Sequence, residues 1–258
     1  MPLLKTENVT HFFGGLKAVS DFNLQIEPGE LIGLIGPNGA GKTTVFNLVT
    51  GAYRATEGRI IFDGHDIVGL APHQINKMGI SRTFQTIRLW NEMTVLDNIK
   101  VAQHGHIQYD LKDIFLQLPR YRSQEQAIEA RAMTMLKLFN LADHAQQPAK
   151  NLPYGQQRRV EIVRALAGNP KLLLLDEPAA GMNPQEIEEL MAFIQRIRSE
   201  LGVTIWLIEH QMRLVMNICE RITVLDFGET IAEGGPDEIQ RNTKVIEAYL
   251  GVEDEEIS

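Results

Sequence analysis

Gly36-Pro37-Asn38-Gly39-Ala40-Gly41-Lys42-Thr43-Thr44 sets a lysine and two threonines directly behind a glycine-rich stretch, in the spacing G-x-x-x-x-G-K-[ST]. Glycines let a backbone fold tightly enough to aim successive N–H groups at the oxygens of a nucleoside triphosphate. An apolar run, Leu31–Ile35, enters the stretch, and a helix-compatible run, Thr44–Val49, leaves it. That context separates a phosphate loop from an ordinary glycine-rich turn. A helix starting there adds the positive end of its dipole. Lys42 is placed to bring a full charge to the β and γ phosphates, and the Thr43 hydroxyl to ligate Mg²⁺.

Further residues suit the same chemistry. Leu172-Leu173-Leu174-Leu175 runs into Asp176-Glu177-Pro178. Acids at the carboxyl end of a buried parallel strand stand where α/β proteins bind ligands. Asp176 can hold Mg²⁺ through water, and Glu177 can take a proton from an attacking water. Capping of the strand end or the next helix is the lesser alternative for this pair of acids. His210 follows the apolar run Val203–Ile208 and could bond a γ-phosphate; in isolation a surface or internally satisfied histidine is the simpler reading. Gln85, after Phe84, offers a neutral amide for Mg²⁺ or water at a natural hinge. The Phe13 ring, beside Gly14-Gly15, could stack on adenine, though its spacing alone suggests core packing.

These groups need elements to hold them. Alternating residues such as Phe22–Ile26 and a Gly14-Gly15 turn predict short strands over residues 3 to 28, and Asp63-Gly64 closes a second hairpin. Buried strands are expected at Leu31–Ile35, Leu172–Leu175, Val203–Ile208 and Arg221–Leu225, with a last pair of strands near Thr230–Ala232. Helices are expected over Gln156–Leu166, Pro184–Leu201 and a final stretch to about Leu250. From Met93 to Gln147 helix formers dominate, with Met133, Leu136, Phe139 and Leu141 as an apolar packing face. Strands alternating with helices imply a mostly parallel sheet covered on both faces. The fold class is therefore α/β: a phosphate-loop NTPase (RecA-like) core with a mostly parallel sheet, an antiparallel β part at its N-terminal end and a helical insertion.

Composition narrows the rest. The 258 residues carry 44% hydrophobic and 22% charged side chains, an ordinary globular balance. A net charge of −8 argues against a nucleic-acid binder, which needs basic surface. The single cysteine, Cys219, cannot form an internal disulfide and reads as core packing in a reducing cytosol. Met1-Pro2-Leu3-Leu4-Lys5 turns polar too soon for a signal peptide, and no run approaches the ~20 apolar residues of a membrane span. A membrane role is expected only through partners.

Together the phosphate loop, Phe84-Gln85, Leu172–Glu177 and Glu209-His210 resemble, in order, the motifs of the ATP-binding cassette (ABC) transporter ATPases over residues 3 to 251. Asn151-Leu152-Pro153-Tyr154-Gly155-Gln156-Gln157 occupies the slot of the family's L-S-G-G-Q signature. Leu152, Gly155 and Gln156 match it, and Pro153 and Tyr154 replace the serine and first glycine. Backbone donors of Gly155 and the helix start remain available to a γ-phosphate. Ala180-Gly181-Met182-Asn183 stands where the family often has S-A-L-D. Leu152–Arg159, Gly79–Gln85, Met93–Asn98, Pro178–Pro184 and Val245–Gly251 look like the branched-chain amino acid importer ATPases; lipopolysaccharide exporters fit less well between residues 79 and 103.

The resemblance implies an ABC ATPase domain over 3–251, with its core in 1–84 and 159–251, a helical part in 85–158, and an acidic tail at 252–258. It implies ATP and Mg²⁺ as cofactors. Phe13, Gly36–Thr44 and the signature residues Leu152–Gln156 would bind nucleotide; Thr43, Gln85 and Asp176 would hold the metal; Glu177, His210 and Gln85 would act in hydrolysis. Implied partners are a second ATPase subunit, a related but non-identical chain or a second copy, two membrane permeases, and indirectly an extracytoplasmic solute-binding protein, with no nucleic acid. The location would be peripheral, on the cytoplasmic face of the plasma membrane. Arg82 and the region Ile87–Met93 would touch the permease. A soluble ABC-type ATPase usually shows tandem cassettes, coiled coils or basic arms, none of which is visible, and a GTPase would need N-K-x-D, where Asn76-Lys77-Met78-Gly79 lacks the aspartate.

Overall fold

The computed structural model describes residues 1–103, 111–116 and 119–253. By contact it divides into two compact units, Met1–Gln85 with Lys171–Ser258, and Thr86–Pro170. Of the expected acidic tail, residues 254–258 lie outside the described residues.

In the first unit, β1 (Leu4–Phe13), β2 (Leu16–Ile26), β3 (Leu31–Ile35), α1 (Lys42–Val49), β4 (Glu57–Phe62), β5 (His65–Asp66), α2 (Pro72–Met78) and β6 (Ile80–Arg82) precede the second unit. There α3 (Val95–Gln103), α4 (Leu111–Phe115), α5 (Pro119–Leu138) and α6 (Tyr154–Leu166) follow. The chain then returns with β7 (Leu172–Asp176), α7 (Pro184–Leu201), β8 (Thr204–Ile208), α8 (Met212–Ile218), β9 (Arg221–Asp226), β10 (Glu229–Gly234), α9 (Pro236–Gln240) and α10 (Thr243–Glu253).

Two sheets build the first unit: an antiparallel one ordered β2-β1-β4-β5 and a six-stranded one ordered β10-β9-β3-β8-β7-β6. In the second sheet only β10 runs antiparallel. Every residue of β3, β7 and β8 is buried, as continuous Leu/Ile runs covered on both faces must be. Trp206 of β8 stacks with Phe22 of β2 at 6.4 Å and meets Phe46 of α1 edge-on at 5.0 Å, so one aromatic cluster joins both sheets to the helix behind the phosphate loop. The strand order sets the turns after β3, β8, β7 and β6 side by side along one sheet edge.

Two expectations need correction. The last pair of strands near Thr230 is one strand, β10, which folds back on β9 through a turn in which Phe227 and Gly228 take φ +43° and +82°; its partner strand was already present in the sheet. The apolar face around Met133 continues past α5, which ends at Leu138. Asn140 adopts φ +58°, Leu141 N–H donates to Leu136 O at 2.8 Å and Asn140 N–H to Lys137 O at 3.2 Å. This helix-terminating motif turns Phe139 and Leu141 back into the core. In the second unit α3 packs against α5 and α6, so the whole of α6 belongs there, and the expected division at residue 158 falls inside that helix.

α7 spans the predicted residues. Asn183, standing at the family's usual aspartate position, accepts the Glu186 N–H at 3.0 Å, and the Glu186 carboxylate returns a bond to the Asn183 N–H at 2.9 Å. Pro184 begins the helix and Gly202 ends it at φ +62°, a complete set of start and stop signals.

Candidate active site

The phosphate loop leaves β3 and turns into α1. Gly36 takes φ +150°, and a Cβ there would stand 2.0 Å from Leu225 O; Gly41 takes φ +100°, and its Cβ would stand 2.6 Å from Ala18 O. Only glycine fits either place. The Gly228 N–H, in the β9–β10 turn, donates to Ala40 O at 3.0 Å, which pins the loop from outside. Pro37 and Ala40 are buried, Asn38, Gly39 and Thr43 are exposed, and Thr44 is half-buried.

The Lys42 ammonium is buried and donates to Gly36 O at 2.6 Å and Pro37 O at 2.8 Å. Burial holds its pKa below the ordinary lysine value, against the opposing pull of Glu177 and Asp176. One cation thus feels the two carboxylates that the sequence singled out, Asp176 at the end of β7 and Glu177 directly after it.

Asp176 ends β7 and is almost fully buried. Glu177 follows at φ +45° with its N–H on Ile208 O at 2.9 Å. A bulky residue rarely holds that conformation without surrounding bonds to enforce it. The Glu177 Oε2 accepts the Gln85 side-chain N–H at 2.7 Å and lies 3.7 Å from His210 Nδ1. Gln85, Glu177, His210 and the phosphate-loop lysine are therefore brought together on the edge that the strand order creates. Phe13 is not in that cluster. Its ring is 44% exposed and not in the core, so the packing suggested by spacing is corrected. It stands edge-on to His11 at 4.7 Å and to Tyr53 at 5.3 Å, which makes an open aromatic platform suited to a nucleobase.

Thr43, Asp176 and Gln85 each carry a side-chain oxygen, the ligand atom Mg²⁺ selects. Among the described residues no three His, Cys, Asp or Glu groups cluster as a metal cage, and Mg²⁺ bound beside phosphates needs one or two protein groups, not a cage. The residues present fit that ion.

Sequence reasoning missed four participants. Glu209 is fully buried; its carboxylate accepts the N–H groups of Ala179, His210 and Gln211 at 2.7, 3.0 and 3.1 Å. It shapes the turns that carry Glu177 and His210, and burial raises its pKa despite those bonds. Its position before His210 was the only signal. Tyr53 lies too far along the chain from Phe13 for spacing to connect them. Arg82, expected at a permease, points inward instead. Arg158 is the fourth. Cys219 is buried as expected, and burial pushes its thiol pKa well up.

The signature lies in the second unit. α6 starts at Tyr154 with Pro153 as its cap, whose side chain makes no capping bond. Leu152 is buried, Pro153 exposed, and Gly155 half-buried. Gln157 closes the loop by donating to Leu152 O at 2.8 Å. The Gln156 Oε1 is buried without a hydrogen bond. Behind them Arg158 and Glu161 form a fully buried pair at 2.7 Å, and Arg158 also donates to the Tyr154 hydroxyl at 3.3 Å. Tyr154 therefore replaces a small residue with a ring anchored from below and 42% exposed above. Glu161 further accepts the Arg88 N–H at 3.0 Å, and buried Asn98 bonds both backbone groups of Trp90, which fixes the region 87–93.

Among the described residues no helix is long and apolar enough to cross a membrane. The family model described as ABC transporter matches residues 19–180, and one described as branched-chain amino acid ATP-binding cassette transporter matches residues 229–255. The chain is 47% identical, over 97% of its length and 98% of the relative's, to the high-affinity branched-chain amino acid transport ATP-binding protein LivG of Escherichia coli K12. It is 46% identical, over the same shares, to BraF of Pseudomonas aeruginosa, which bears the same description. A crystal structure of the ADP conformation of an ATP-binding cassette from an ABC transporter superposes with a TM-score of 0.85 at 33% identity, covering 97% of this chain and 99% of that one.

Proposed function

The chain belongs to the ABC transporter family as an ATP-binding subunit, and we propose that it hydrolyses ATP to drive import of branched-chain or closely related amino acids through separate permease subunits. Two ATPase subunits would enclose two ATP molecules head to tail. The partner would be a related, non-identical chain beneath two permeases on the cytoplasmic face of the plasma membrane, supplied by an extracytoplasmic binding protein.

Within one chain, Phe13 and Tyr53 would stack the base. The loop amides from Gly36 to Thr44 and the Lys42 ammonium would hold the phosphates; in exchange Lys42 gives up its bonds to Gly36 O and Pro37 O. Thr43, Gln85 and Asp176 would hold Mg²⁺, which supplies charge neutralisation of the β and γ oxygens when bound. Glu177 would accept the proton of the attacking water, oriented by Gln85 and His210. The exposed start of α6, Leu152–Gln156, would complete the other chain's site through its backbone N–H groups. A γ-phosphate gripped from both sides favours the closed pair, and its hydrolysis removes that preference, the condition for ligand-driven motion.

The observation that carries this reading is the Gln85–Glu177 bond at 2.7 Å with His210 at 3.7 Å, beside a lysine whose charge is felt by Glu177 and Asp176. The test is Glu177→Gln in the reconstituted transporter. ATP affinity should stay within a few-fold while turnover falls about 1,000-fold, within the range for loss of a general base. Unimpaired turnover would remove Glu177 from that role. Leucine-stimulated hydrolysis in proteoliposomes tests the solute class, and its absence with all branched-chain amino acids would overturn it.

A further inference from the structure

Arg82 leaves β6 three residues before Gln85 and is almost completely buried. One arm of its guanidinium donates to Asp176 Oδ2 at 2.6 Å, and the other to Asn47 Oδ1 at 2.6 Å. Phe46 and Phe84 flank the cation at 5.6 and 5.2 Å. Its Nε is buried without a hydrogen bond, so no third anchor competes with those two. Asn47 and Phe46 belong to α1, the helix that carries Lys42 and Thr43. Asp176 is held a second time from the same segment, since its own N–H reaches Thr83 Oγ1 at 3.4 Å, while the Thr83 N–H donates to Leu174 O at 2.9 Å. Gln85 then takes Glu177. Residues 82 to 85 thus grip both acids of the site in turn.

We propose that Arg82 is a positioning residue that locks the Asp176 carboxylate to the phosphate-loop helix, so that the metal-side acid follows the segment carrying Gln85. This role presupposes the nucleotide site proposed above. The planar fork is what the geometry requires. A carboxylate at a buried strand end can rotate about its side-chain torsions, and a single point charge would leave one rotation open. Here one arm holds Asp176 Oδ2 and the other Asn47 Oδ1, so the guanidinium ties the carboxylate to α1 with one bond on each element. The flanking rings fix the plane of the guanidinium itself. Lysine cannot reproduce this, because its compact ammonium cannot reach both oxygens from one position in a fixed plane. Partners that orient a metal-binding carboxylate typically change metal affinity or activity about 10- to 100-fold when removed.

The experiment uses the full chain with Arg82→Met, Arg82→Lys and Asn47→Ala. Three quantities are measured: ATP affinity in EDTA, Mn²⁺ affinity by electron paramagnetic resonance in the presence of a non-hydrolysable ATP analogue, and the Mg²⁺ dependence of hydrolysis. In Arg82→Met, ATP affinity without metal should stay within about threefold, because Lys42 and the loop amides are untouched. Mn²⁺ affinity should fall about tenfold or more, and half-maximal hydrolysis should need correspondingly more Mg²⁺. Arg82→Lys should recover thermal stability but not metal affinity. Asn47→Ala, which keeps the Arg82–Asp176 pair, should give a smaller loss in the same direction. Metal affinity within twofold of wild type in folded Arg82→Met overturns the role. So does a parallel loss of metal-free ATP affinity, which would make Arg82 a general support of the loop. If Arg82→Met does not fold, Arg82→Lys and Asn47→Ala decide by the same metal readout. A wild-type chain that binds ATP and Mn²⁺ but never hydrolyses ATP overturns the catalytic reading and leaves this one standing; a chain that binds no ATP overturns both.

Discussion

The two motif-bearing regions are built differently. Around the phosphate loop the charged and polar groups named above pair within their own unit: Lys42 with loop carbonyls, Arg82 with Asp176, Gln85 with Glu177, and Glu209 with three backbone N–H groups. The signature region has a buried ion pair on its inner side and an exposed start of α6. Arg158 and Glu161 neutralise each other below, while Pro153 and Tyr154 at the start of α6 are exposed. A site that closes on itself can bind and react. On the proposed function, the exposed start of α6 would complete a second chain's nucleotide site.

The sharpest way to break this comparison is Arg158→Met. It strands Glu161 as a buried charge, a change worth about 3–5 kcal/mol. The second unit should lose stability while ATP affinity in the first stays within a few-fold. Loss of ATP binding at the same denaturant concentration as the helical unit would show that the units are not separate in energy.

Lys42→Met acts on the self-contained side. Removing charged hydrogen bonds to phosphate should weaken ATP binding by about 100-fold. The same change carries a pH signature. Because the folded pKa of Lys42 lies below its ordinary 10.5, the unfolded chain holds more protons between those two values, and stability rises with pH there. Wild type should therefore gain on Lys42→Met in urea titrations as the pH rises towards 10.5. A gap that narrows with rising pH would contradict the burial cost of the ammonium.

Tyr154→Ala has the smallest effect on the isolated chain. ATP affinity there should not change, because the ring is outside the first unit. Hydrolysis in the assembled transporter should fall about tenfold, as for loss of one well-placed interface anchor. A weaker ATP affinity in the isolated chain, with assembly unaffected, would mean that Tyr154 serves its own unit.

Much of this was legible in the residue order. β3, β7 and β8 are short, largely apolar runs, whose length and flanking turn residues fit a covered strand. α7 announces both ends with Asn183-Pro184 and Gly202. The three-residue β6 was invisible, because Ile80-Ser81-Arg82 has no length over which a period can show; only its pairing with β7 makes it a strand. The second strand expected near Thr230 failed for the opposite reason, since local β preference says nothing about how many partners a sheet edge still has. Spacing does not place Phe13, because burial of a strand residue depends on what covers its face, and here the ring meets His11 and Tyr53 edge-on and stays 44% exposed.

What the chain determined by itself is what neighbouring residues can enforce. Glycines at Gly36 and Gly41 admit a backbone no other residue adopts, Lys42 stands at the head of a helix, and acids close a buried strand. The tertiary structure decided which distant groups meet. Arg82 turns from an exposed cation into the clamp on Asp176, and Glu209 from a spacer into the hub of two turns, because strand order brings together segments that lie far apart in sequence. A side chain's partner is fixed by that juxtaposition, and pairing over such separations leaves no trace in local spacing.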